Sequence, residues 1–462
     1  MFNLEQRGQV LATLLFGIAI LLFFGLAYPH HLHYQEQYQL FLFDSAYVWE
    51  IVRLPGGVAD LLGRFCTQFF LFAWVGAAII ALLLSAVQLL IMRLAKWGWL
   101  YGLSFVPSFL LWFFLLDENA LLGGVWAVLL TLLAVWGFTM CPKGWTRRIV
   151  ILVTIPILYF LVGPYWNGSH YHRYPTVCPT LLYVAWLSAI ILPLLVRTFH
   201  HPKTSKSQIV KSTLLCALCF LCGLSFIWRN SNFKAEKVMQ YDFMACHQQW
   251  NRILETVNAE KPNNQIGVTV QNLALAMNGR LASHLLEYNQ NGILGLLPDV
   301  QRDATSPLPT AEAFYQLGMI SVAQRTVFEA QEAILDFQKS ARCYKRLAQT
   351  NLILGNYEVA RKYLTALQKT LFYREWANET LPLLGNEEAI AKHPEYGRLR
   401  QCAYTEDFYF SDHVTPEMLE CLYNHNMDNR LAFEYLMAYY ILTGDREGYE
   451  KLLKNLELRI SN

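Results

Sequence analysis

Seven apolar stretches crowd the first half of the chain, and they limit its fold more than any other feature. They lie near 9–28, 67–92, 98–116, 120–140, 148–165, 176–196 and 211–228. A helix needs about 20 apolar residues to cross a bilayer core, and each stretch meets or approaches that length. Residues 1–228 therefore read as a polytopic transmembrane domain of about seven helices. Between Cys66 and Trp228 the sole acids are Asp117 and Glu118, in an expected turn. An ion-coupled transporter usually keeps an acid inside its spans, because a charge buried there is costly and is retained only for work. A transporter is accordingly disfavoured.

Charge separates the two halves. Residues 1–228 carry 7 acids and 13 bases, whereas 229–462 carry 28 acids and 24 bases. The first half suits lipid and the second water. The bases of the first half gather in loops 93–97 (Arg93, Lys96), 141–148 (Lys143, Arg147, Arg148) and 197–211 (Arg197, Lys203, Lys206, Lys211). These loops alternate with base-poor ones. Basic loops stay on the cytoplasmic side, which puts the N-terminus inside and residues 229–462 outside. Gly25-Leu26-Ala27 fits a signal-cleavage rule, but the apolar run 10–27 is longer than a signal core of about 7–15 residues, so an uncleaved anchor is expected. A net charge of +2 and an acidic outer half argue against nucleic acid as a partner.

The outer loop 28–66 holds the candidate site residues. Gln39–Val52 and Val58–Phe65 mix aromatics with Glu50, Asp60 and Arg64 on either side of the breaker Pro55-Gly56-Gly57. Such segments commonly lie as interfacial helices at headgroup depth. Glu36 and Asp44 are eight residues apart, and on a continuous helix they would share a face. That makes them candidate catalytic residues, as a general base toward a hydroxyl or as oxygen ligands for a hard cation. His30, His31 and His33 precede them, and His170 and His172 fall in a second loop on the same expected side. Imidazole suits a divalent metal such as zinc, so these five are the candidate metal ligands, although no fixed spacing such as HExxH supports them.

Cys216, Cys219 and Cys222 repeat every three residues in the last apolar stretch and are read as a packing face. Cys246, Cys343, Cys402 and Cys421 of the second half permit disulfides in an oxidising compartment, with no pairing readable from the sequence.

Residues 229–462 look helical and repetitive. A glycine followed by apolar residues at helical spacing recurs at Gly279, Gly318, Gly355 and Gly444. The copy at 341–369, with Tyr344, Leu347, Ala348, Gly355, Tyr357 and Ala360, resembles the tetratricopeptide repeat, a helix–turn–helix unit of about 34 residues. That resemblance implies an α-solenoid whose groove binds a protein or peptide partner. Arg374, Glu375, Trp376, Glu387, Glu388 and His393 read as solvated faces and caps rather than a pocket. The expected fold is thus all-α: about seven transmembrane helices, then a soluble α-solenoid over 229–462.

His33-Tyr34-Gln35-Glu36-Gln37-Tyr38, Pro55-Gly56-Gly57, Phe65-Cys66-Thr67-Gln68-Phe69-Phe70 and Phe372-Tyr373-Arg374-Glu375-Trp376-Ala377 resemble a family of Bacteroidota membrane proteins catalogued as a domain of unknown function. The resemblance spans most of the chain and implies a Gram-negative inner membrane, which makes the outside the periplasm. A looser, architectural resemblance is to membrane glycosyltransferases that use lipid-linked sugars. It implies roles for Glu36 and Asp44 as base and metal ligand, though the chain lacks their DxD and WWD motifs. Two functions follow as expectations: a membrane-anchored periplasmic scaffold in envelope biogenesis, or a transferase acting on a lipid-linked substrate.

Overall fold

The computed structural model describes residues 4–141, 144–167, 179–199, 206–299, 306–334, 338–404 and 415–460. The described chain is all-α, with no strand beyond one isolated bridge, Asn291 to Ile293. It divides into two compact units, Met1–Glu236 and Lys237–Asn462.

The first unit contains α1 (Leu4–Leu22), α2 (Pro29–Glu36), α3 (Ser45–Val52), α4 (Gly57–Thr67), α5 (Ala73–Leu94), α6 (Val106–Phe114), α7 (Leu122–Met140), α8 (Trp145–Asn167), α9 (Pro179–Phe199) and α10 (Lys206–Asn230). Among the described residues, five stretches are long and apolar enough to cross a membrane: Arg7–Ala27, Ala73–Leu94, Leu122–Met140, Thr180–Thr198 and Ser207–Asn230. The other two expected spans coincide with shorter apolar helices, Gly98–Phe114 and Arg148–Gly163. The first of these is a 3-10 stretch, Gly98–Phe105, that runs into α6. The second expected span begins late, at Ala73, because Gln68–Leu71 form a separate 3-10 turn and Phe72 is extended.

Small residues let these helices approach. A Cβ on Gly63 of α4 would stand 2.5 Å from the backbone nitrogen of Gly123 on α7, and one on Gly102 would stand 2.8 Å from that of Cys216 on α10. Backbones this close need glycine, as is usual where apolar helices pack without a hydrophobic drive between them. Around the second contact Phe16 packs edge-on to Phe105 and Phe109, with ring centroids 5.3 and 5.0 Å away, and Trp112 and Phe220 complete the cluster.

The cysteine face holds only at Cys216, which touches the core; Cys222 is exposed. A three-residue step advances about 300° around a helix, so three such residues spread over a wide arc. The polar residues inside the unit bond to one another. Gln88 of α5 accepts from Thr13 Oγ1 (3.0 Å) and donates to Ser104 Oγ (3.1 Å), and the Tyr101 hydroxyl donates to the Gln9 carbonyl (2.9 Å).

Beyond α10 come α11 (Phe233–Cys246), α12 (Trp250–Glu260), α13 (Gln265–Met277), α14 (Leu281–His284), α15 (Pro307–Leu317), α16 (Ile320–Ala333), α17 (Ala341–Ile353), α18 (Tyr357–Gln368), α19 (Arg374–Thr380), α20 (Glu387–Lys392), α21 (Pro394–Cys402), α22 (Pro416–His425), α23 (Arg430–Thr443) and α24 (Arg446–Ile460). The glycines that mark the sequence copies end helices. Gly279, Gly318, Gly355 and Gly444 have φ of 65°, 94°, 81° and 71°, the left-handed conformation that closes a helix and that glycine adopts without a Cβ penalty. Between α17 and α18, Gly355 makes the turn of one helix–turn–helix, and Leu347, Ala348, Ala360, Leu364 and Leu367 are buried.

Four charges inside this second unit pair with one another. Arg342 of α17 donates to both carboxylate oxygens of Asp242 on α11, at 2.6 and 2.8 Å. One turn along, Arg346 donates to Glu312 of α15 at 2.6 Å and lies over the Tyr315 ring, 3.6 Å from its centroid. The acidic segment after α18 serves as capping, as expected: Asn386 caps α20, Glu387 and Glu388 occupy its first turn, and the His393 ring caps α21. Cys246, Cys343, Cys402 and Cys421 are free thiols.

Candidate functional site

The long loop folds as three short helices, and α2 is its most confined part. Pro29 opens α2, where a missing N–H costs nothing. The preceding Tyr28 cannot cap the helix with its side chain. The cap comes from Glu236 of α11 instead. Its two carboxylate oxygens accept from the backbone N–H groups of His30 (2.7 Å) and His31 (2.9 Å). A carboxylate at a helix N-terminus meets both orphan donors and the positive end of the dipole. Tyr28, fully buried, accepts from the Asn232 backbone N–H at 3.0 Å and so ties the same two segments.

The other end of α2 is fastened to the turn between α6 and α7. The His31 ring is fully buried, and its Nε2–H donates to the Leu115 carbonyl at 2.9 Å. A carbonyl can only accept, so Nδ1 is the bare nitrogen; it is buried and meets no hydrogen-bond partner. Gln35 donates weakly to the Asp117 and Ala120 carbonyls, at 3.4 and 3.3 Å.

Burial sets the protonation of this node. Desolvation lowers the His31 pKa to about 4, against the smaller effect of the Leu115 bond. Desolvation raises that of Glu236 to about 7, although the His30 and His31 amides pull it down. Imidazole and carboxyl are thus both pushed toward their neutral forms.

The candidate carboxylates sit differently from each other. Glu36 is buried, at 6% exposure, as the last residue of α2. Asp44 is the N-cap of α3, where its Oδ1 accepts from the Ala46 N–H at 2.8 Å. The helix stops between them, so the shared helical face that first paired them does not exist. His30 and His33 share a side of α2, with ring centroids 5.8 Å apart, whereas the His31 ring is committed to Leu115. His170 and His172 lie outside the described residues. Among the described residues no group of three His, Cys, Asp or Glu side chains is arranged to hold a metal ion.

The structure adds a charged pair that the sequence showed only as loose charges. On α4, Arg64 donates to Asp60 Oδ2 through Nε (3.0 Å) and Nη2 (2.7 Å), and the pair is largely buried. Phe41, Phe43, Phe65 and Phe69 pack edge to face beside it.

With the loop so arranged, the family model matches residues 6–167 and 164–461, nearly the whole chain. The chain belongs to the family of unknown function DUF6057. No curated protein and no solved structure matches it. Membership in DUF6057 thus assigns no activity.

The Glu236 cap had no local signal, since it joins residues 206 apart in the chain. The i,i+4 spacing of Asp60 and Arg64 was the one clue to the buried pair.

Proposed function

We propose that the chain is an integral membrane protein whose apolar unit anchors an interaction module, Lys237–Asn462, acting as a scaffold in the cell envelope. The observation that carries this reading is the set of left-handed glycines, Gly279, Gly318, Gly355 and Gly444, that close α13, α15, α17 and α23. Repeated helix pairs of that kind bury their apolar stripes by stacking, as tetratricopeptide-like solenoids do, and the stack leaves a groove for a protein partner. Seven crossings are supported by a length argument. In Gly98–Phe114, eight residues of 3-10 helix at about 2.0 Å and nine of α-helix at about 1.5 Å reach roughly 30 Å, and the 23 residues of α8 reach about 35 Å, each a full hydrocarbon core. Seven crossings with basic loops inside support a periplasmic second unit in an inner-membrane protein. Reporter fusions after residues 228 and 462 should both read periplasmic, and photo-crosslinkers in α17 and α18 should capture a discrete envelope protein. A cytoplasmic reading at 462 would overturn the placement.

A second reading rests on the burial of the Glu36 carboxylate in the loop. In it the chain is a transferase at the outer membrane face acting on a lipid-linked substrate, with Glu36 and Asp44 as catalytic residues. A divalent ion would draw on His30 and His33 together with His170 and His172. Glu36→Gln and Asp44→Asn should then abolish complementation of a deletion at normal protein level. Full complementation by both rules the transferase out.

A further inference from the structure

A cleft of about 590 Å³ opens on the flank of the first unit between α1, the start of the 3-10 stretch and α10. Both long helices run along it in the same sense, since Phe16 meets Phe220 at 6.1 Å while Gln9 and Gln208 both line the cleft. One end is therefore polar, at Gln9, Gln208 and Ser212, and the other apolar, at Leu15, Leu221 and Leu224. The most apolar window of α10 has no buried residue, so this wall faces the bilayer.

A cleft of this size does not stay empty in a membrane. Water is held in a cavity by two to four polar partners, and the apolar end offers none. The polar floor is satisfied internally, because the Tyr101 hydroxyl already donates to the Gln9 carbonyl. The volume, about 590 Å³, is that of a small-molecule site and suits one acyl chain. Charge decides the headgroup. Exposed Arg7, Lys96 and Lys211 each lie within two residues of a residue lining the polar end, next to Gly8, Gly98 and Ser212.

We propose that this cleft binds an anionic glycerophospholipid, with an acyl chain along Leu15, Leu221 and Leu224 and the phosphate at the end flanked by Arg7, Lys96 and Lys211. The headgroup supplies the selectivity, because a chain gains little by leaving one hydrocarbon environment for another.

The test is native mass spectrometry of the full chain in detergent, titrated with phosphatidylglycerol or phosphatidylcholine. The wild type should retain the anionic lipid about tenfold better, the effect of one or two basic residues near a headgroup. Ala217→Trp, which fills the cleft, should abolish that retention. Leu82→Trp, on an exposed face outside the cleft, should preserve it. Arg7→Gln combined with Lys211→Gln should bring the two lipids level. Equal retention of both lipids by the wild type, or undiminished retention by Ala217→Trp, overturns the proposal. Should Ala217→Trp not fold, phosphatidylglycerol with a photoreactive acyl chain decides on the wild type. Labelling concentrated on peptides containing Leu221 and Leu224 supports the site. Even labelling of all spans, or crosslinking of α10 to another membrane protein, refutes it.

Discussion

The long helices of the first unit and the core of the second bury polar groups in opposite ways, the Asp60–Arg64 pair of the short loop helix α4 being a buried charge pair of the first unit. Inside the apolar unit Gln88, Thr13, Tyr101 and Ser104 form a neutral network. Inside the second unit Asp242, Glu312, Arg342 and Arg346 form a charged one. Neutral groups are tolerable among apolar helices because the unfolded helix in a membrane also finds partners, so each bond is worth little. A charge taken out of water has no such alternative, and its partner must remain in place. The contrast teaches that equally buried polar residues carry very different weights.

The comparison breaks most visibly at Arg342. Arg342→Met leaves Asp242 buried without its bidentate donor, and the second unit should lose about 3–5 kcal/mol. Denaturant titration of the full chain, followed by proteolysis of each unit, should show that loss confined to Lys237–Asn462. An unchanged midpoint would mean that water reaches the pair.

The node at α2 sharpens the contrast through pH. His31 titrates below its ordinary 6.5 when folded, at about 4, so the stability it contributes is lost as pH falls through that window. Glu236 titrates above its ordinary 4.5 when folded, at about 7, so its contribution is lost as pH rises toward 7. Between about pH 4.5 and 6.5 the two slopes oppose and nearly cancel, each amounting to about 2–3 kcal/mol. Glu236→Gln should expose the histidine and make the apolar unit weaken on acidification. His31→Gln should expose the carboxyl and make it strengthen. Melting temperatures across that range decide, and parallel profiles for both variants would refute the assignment.

Packing comes next in size. Gly102→Val forces side-chain atoms into the α10 backbone at Cys216 and should cost about 1–3 kcal/mol. The same change at Gly385, whose added Cβ meets nothing within 4 Å, introduces backbone strain alone because φ is 82°. The smallest effect is expected at Gln88, where Gln88→Leu should cost about 0.6 kcal/mol. A loss comparable to that of Arg342→Met would erase the distinction between the units.

Much of the fold was legible in the chain. The apolar segments and the four turn glycines were visible because their signals are local, in runs of lipid-length hydrophobicity and in single residues that tolerate positive φ. The pairing of Glu36 with Asp44 failed for a local reason too. Leu40-Phe41-Leu42-Phe43 favours an extended backbone, and Asp44 competes for the chain as a helix cap. The long-range bonds left no trace, since Glu236 and His30 are 206 residues apart and Asp242 and Arg342 are 100 apart. Segments 30–36 and 168–174 both carry histidines, but the second lies outside the described residues.

The Glu236 cap also bears on the order in which the protein is made. Synthesis proceeds at about 5–20 residues per second. With 206 residues between His30 and Glu236, the start of α2 leaves the ribosome roughly 10–40 s before its cap exists. Until then its first N–H groups bond to water or headgroups. The first loop to be synthesised is therefore among the last parts of the apolar unit to be completed, and truncation before Glu236 leaves it unfinished.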